Sequence, residues 1–66
     1  MWQAVPGTFL NSRPARIAAT AYEQETGVEW VVVRKINSDI GKIYFQPCRV
    51  QDIEEANKDG WEIIGK

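Results

Sequence analysis

The chain has 66 residues, 44% of them hydrophobic, and eight Lys/Arg against nine Asp/Glu give it a formal charge of −1. That length makes one small domain, residues 1–66, whose modest core claims every large apolar residue for packing first. With no histidine and one cysteine, the composition excludes an intramolecular disulfide and a His/Cys metal cage, and the near-neutral balance argues against a protein held on nucleic acid by bulk charge.

A lone thiol suits a reducing compartment, and no charged leader followed by an apolar stretch opens the chain. The longest apolar run, Trp30-Val31-Val32-Val33, falls far short of the ~20 residues a membrane span needs. The expectation is a cytoplasmic protein without membrane association, metal or cofactor.

Residues 1–12 hold Trp2, Val5, Phe9 and Leu10 around a Pro6-Gly7 turn. The segment is too apolar for a free tail and is expected to pack across the rest, in part as a short strand. Residues 14–26 carry four alanines, a proline suited to a first helical turn and Gly27 as a stop, and propensity favours a helix. The charges disagree, because Arg16 falls near the positive end of that helix's dipole and Glu23 and Glu25 near the negative end. A strand over 16–23 that turns at 25–27 is the alternative, although alanine-rich strands are poor.

Val28 to Ile36 is the clearest strand, with three β-branched residues in succession. Asn37 to Gly41 supplies turn residues, and Lys42 to Val50 returns as the second strand of an antiparallel hairpin. Pro47 has no N–H for a ladder, so this strand lies at an edge, bulges or stops near Gln46, and a stop or a bulge is favoured. Asp52-Ile53-Glu54-Glu55 resembles a capping box for a short helix over 52–58, with Gln51 or Asp52 as its cap and Gly60 at the left-handed position beyond its end. Residues 61–64 form a last strand with Trp61 and Ile63 on one face.

The segment Asn57 to Ile64 resembles the ending of small bacterial domains in which a hairpin and a short helix lead into Gly-Trp-Glu-aliphatic. The likeness is confined to the C-terminal part of the chain and implies no activity. The expected fold is α+β: an antiparallel three-stranded sheet from 28–36, 42–49 and 61–64, a short C-terminal helix and an N-terminal helix. The alternative is a small all-β barrel of the SH3-like sort.

Alternation places Val28, Trp30, Val32, Arg34 and Ile36 on one face of the central strand and Glu29, Val31, Val33 and Lys35 on the other. Both faces are partly apolar, and the helices are expected to cover only one. The second cover is then the N-terminal segment with Trp2, Phe9 and Leu10, a second copy of the chain, or another protein. On that ground the expected function is a small non-enzymatic binding protein, an adaptor, inhibitor or self-associating regulator. Its partner face would be Glu29, Val31, Val33, Lys35 and Tyr44.

The competing expectation is a nucleic-acid-binding regulator that uses Arg34, Lys35, Lys42, Tyr44 and Arg49 to hold phosphates and stack a base. Bases cluster in residues 30–51 and acids after 51, so the surface carries a basic middle and an acidic flank if the fold segregates these blocks; a mixed, solvated surface is favoured. Cys48, beside Arg49, is the single candidate nucleophile, and without an identifiable base it reads as an inert, half-buried thiol.

Overall fold

A computed structural model describes residues 2–4 and 9–65. Helix α1 spans Ser12–Thr26, strands β1 and β2 span Trp30–Asn37 and Lys42–Arg49, a 3-10 turn covers Val50–Asp52, helix α2 spans Ile53–Lys58 and strand β3 spans Glu62–Gly65. Val5 and the expected Pro6-Gly7 turn lie outside the described residues. The sheet is open and antiparallel in the order β2-β1-β3. This is the expected α+β fold, and a closed barrel is overturned by the open sheet and by a 15-residue helix over the segment where a strand was the alternative.

Helix α1 ends where Gly27 takes a left-handed backbone, φ 73°, and its N–H donates to the Glu23 carbonyl at 2.9 Å. Ala15 and Ala19 are its buried residues and rest against Val32, with Phe9, Trp30, Phe45 and Ile64 around them. Small side chains on the inner stripe let the helix lie close to the sheet. Its C-terminal end is tied to β1 through Thr26, whose hydroxyl donates to the Tyr22 carbonyl at 2.6 Å and accepts the Trp30 indole N–H at 3.0 Å.

The opposite face of the sheet buries Val31, Val33 and Cys48 with Ala56 of α2 and Trp61, and Trp2, Ala4, Tyr44 and Ile53 pack against that cluster. The two helices therefore lie on opposite faces, which corrects the expectation that they shelter only one. Trp2 sits with the α2 cluster and Phe9 with the α1 cluster, while Leu10 is exposed. The N-terminal segment forms no named strand among the described residues; Phe9 makes one isolated bridge to Phe45.

Strand β2 runs through Pro47 without a stop or a bulge. The Phe45 N–H points away from β1, to the Phe9 carbonyl at 3.1 Å, so two residues on the Pro47 nitrogen also faces outward and costs the ladder nothing. The irregularity lies between β1 and β3, where the register shifts at Val32/Val33. Asp52 makes no side-chain cap on α2, which corrects the capping box. Its carboxylate accepts the Arg49 Nε–H at 3.0 Å instead. Gly60 takes the left-handed position after α2, φ 88°.

Candidate functional site

Two members of the expected partner face belong to the core. Val33 is fully buried and Val31 is 8% exposed, because α2, Trp61 and the Trp2–Ala4 segment close over them, so neither can meet a partner. Glu29 precedes β1 and its backbone carbonyl accepts the Val50 N–H at 3.1 Å. Lys35 and Tyr44 remain: they are cross-strand neighbours on the α2 face, and both are half-buried.

The second expected set is split by the sheet. By alternation from the β1–β2 register, Lys35, Lys42 and Tyr44 lie on the α2 face and Arg34 and Arg49 on the α1 face. Three of the four bases face carboxylates from the C-terminal block: Arg34 Nη2 lies 3.7 Å from Glu62, Lys35 Nζ 3.9 Å from Asp59, and Arg49 Nε 3.0 Å from Asp52. The basic middle and the acidic flank interleave in space. The first two pairs are solvent-exposed and worth little individually, but they leave no continuous basic strip on the hairpin.

Asp52 is a buried carboxylate. Burial works against its charge, the Arg49 hydrogen bond and charge favour it, and the balance holds the carboxyl below the ordinary range. Cys48 behaves oppositely. Burial, and after it the Asp52 charge, pushes its thiol up to about 11 against a smaller downward pull from Arg49, and the thiol is directed at the Arg49 carbonyl at 3.3 Å. It is protonated at neutral pH and poorly placed as a nucleophile. Among the described residues no group of three His, Cys, Asp or Glu is arranged to hold a metal ion, and no helix is long and apolar enough to cross a membrane.

The surface that sequence reasoning missed is the open end of the hairpin. Ile36 and Ile43 are a cross-strand pair there, 58% and 42% exposed, and Ile40 in the turn between them is 56% exposed. Alternation ranks Ile36 with Val32 on one face of β1, yet Val32 is buried against Ala15 and Ala19 of α1 while Ile36 is exposed at the far end of the strand. The available signal was Ile40, an apolar residue inside a turn otherwise made of Asn37, Ser38, Asp39 and Gly41. A hollow of about 340 Å³ opens beside this end, lined by Lys35, Ile36, Asn37, Asp39, Tyr44 and Trp61. A larger one, about 660 Å³, is walled by Gln3, Phe9, Trp30 and Pro47 among others. Comparison with protein families, curated proteins and solved structures gives no match.

Proposed function

We propose that this chain is a non-enzymatic protein-binding unit, an adaptor, inhibitor or self-associating regulator, whose contact surface is the open end of the β1–β2 hairpin. The observation that carries this is the exposure of Ile36, Ile40 and Ile43 together at one end of a chain that buries Val32 and Val33 completely. Isolated exposed apolar residues need no explanation, but a cross-strand pair with a third at the intervening turn forms a patch. Lys35 and Tyr44 lie on the other face of the hairpin and, with Ile36, line the hollow beside this end, which gives the apolar tip polar neighbours. A reducing, cytoplasmic setting belongs to the same proposal, with the single buried thiol as its support. A nucleic-acid partner has weaker support, since the bases that would serve it are divided between two faces and paired with acids.

The test is a photo-crosslinker placed at Ile40, compared in the wild-type background and in Ile36→Thr/Ile43→Thr. Threonine keeps the β-branch, so the strands persist while the apolar area falls. Adducts that form with the wild type and vanish with the double variant are expected. Adducts of equal yield in both, or none in either, overturn the assignment. Titration of labelled oligonucleotides at several salt concentrations checks the competing function, and binding that weakens linearly on a log–log salt plot would replace the first with the second.

A further inference from the structure

Helix α1 carries its charges against its own dipole: its first turn holds no acid and its last turn no base, while Arg13 sits near its start and Glu25 near its end. On its outer side, residues Arg13, Ile17, Ala21 and Glu25 follow one another at four-residue steps and so form a single continuous row. All four are exposed, Ile17 at 63%. Neither Arg13 nor Glu25 has an ion-pair partner among the described residues.

This row is complementary to itself when reversed. Two copies related by a two-fold axis near residue 19 place Arg13 against Glu25 of the other copy at both ends. Between them, Ile17 meets the small Ala21 of the other copy. Rows at four-residue steps lie side by side when two helices cross at about 50°, the commonest packing class. A shallow hollow of about 470 Å³ beside the row, lined by Arg13, Arg16, Ile17 and Thr20, leaves room for the second row. The reversed direction also brings each arginine to the negative end of the other helix's dipole and each glutamate to the positive end. A charge pattern unfavourable within one helix thus becomes favourable between two.

We infer that the outer row of α1, Arg13-Ile17-Ala21-Glu25, is a self-association surface on which a second copy of this chain docks its own α1 in the reversed direction. It does not rest on the hairpin-end proposal, whose residues lie on other elements.

The experiment is sedimentation equilibrium at low salt up to about 1 mM protein, where a contact this small is measurable. The samples are the wild type, R13E, E25R, the R13E/E25R double variant, and an equimolar mixture of the two single variants. Because each single variant corrects a charge–dipole mismatch, its helix content by circular dichroism is expected to hold or rise, so lost association cannot be ascribed to unfolding. The wild type is expected to self-associate, with each single variant weakened about tenfold or more, since each replaces two attractions by two repulsions. The double variant should return to within about threefold of the wild type, and the mixture should form a heterodimer as strong as the wild-type dimer. A wild type that stays monomeric, single variants that associate undiminished, or a double variant and mixture that fail to recover association would each overturn the inference.

Discussion

Trp2 and Trp61 meet edge to face, with ring centroids 5.7 Å apart and planes inclined at 69°, and both indole N–H groups donate to the same Asp59 oxygen, at 3.4 and 3.2 Å. The Trp2 backbone N–H adds a bond to the Glu55 carboxylate at 3.0 Å. The start of the chain is therefore fastened over the end of α2, and Trp2 closes the cluster that buries Val31 and Val33.

Trp2→Ala is expected to cost about 2–3 kcal/mol in urea unfolding, below the usual range for a fully buried tryptophan because Trp2 keeps part of its surface in water. Trp2→Phe keeps an aromatic edge against Trp61 and loses only the bond to Asp59, so it should cost about 1 kcal/mol. Equal losses for the two variants would mean that the indole N–H, and not the ring contact, holds the segment down.

Asp52 sets the acid limb of stability. Its carboxyl lies below the ordinary 3.8 in the folded chain, so between that lowered value and 3.8 the unfolded chain binds more protons than the folded one. Its contribution is complete above the ordinary value and is lost as pH falls through the lowered one. Asp52→Asn should cost about 1–2 kcal/mol at pH 7, since the Arg49 guanidinium loses its charged acceptor while remaining partly in water. The difference between variant and wild type should shrink below pH 4, and a difference that stays constant down to pH 2 would assign the loss to shape and not to charge.

The elements were legible for a plain reason: β1 and β2 are short runs of β-branched and aromatic residues separated by turn residues, and Gly27 and Gly60 mark helix ends that only a left-handed residue can close. What each helix covers was not legible. Ala15 and Ala19 bury the inner stripe of α1 while its large apolar residue, Ile17, faces outward, so the apolar pattern gives no guide to orientation. Trp2 finds Asp59 across almost the whole chain, a contact that no local spacing encodes. Of the candidate site, Lys35 and Tyr44 share the expected face and prove to be cross-strand neighbours on it, whereas Val31 and Val33 belong to the core because the N-terminal segment, the first of the three covers the sequence offered, closes over them through Trp2 together with α2 and Trp61.

Gly27 separates conformational from steric cost. A Cβ at this position meets nothing within 4 Å, so Gly27→Ala is strained only by its φ of +73°. The expected loss is about 1 kcal/mol in thermal or urea unfolding, from left-handed backbone alone. Gly27→Asn should recover part of it, since asparagine tolerates that conformation better. An alanine variant as stable as the wild type would mean that α1 can end without the left-handed residue.

Cys48 gives the opposite pH signature to Asp52. Raising its thiol from 9.0 to about 11 leaves about 100-fold less thiolate at pH 8 than an unperturbed cysteine has, so iodoacetamide should modify the folded chain at least that much more slowly than the urea-unfolded chain. The folded state favours the neutral thiol. Its contribution to stability is therefore present below pH 9 and declines as pH rises toward 11, where the unfolded chain has already released the proton. Cys48→Ala should remove this alkaline decline at the cost of a small cavity beside Val31, about 1 kcal/mol. Alkylation of the folded chain at the rate of a free thiol would show instead that the β2 edge opens readily enough to expose Cys48 to reagent, in which case the rate would track local opening and not the thiol's acidity.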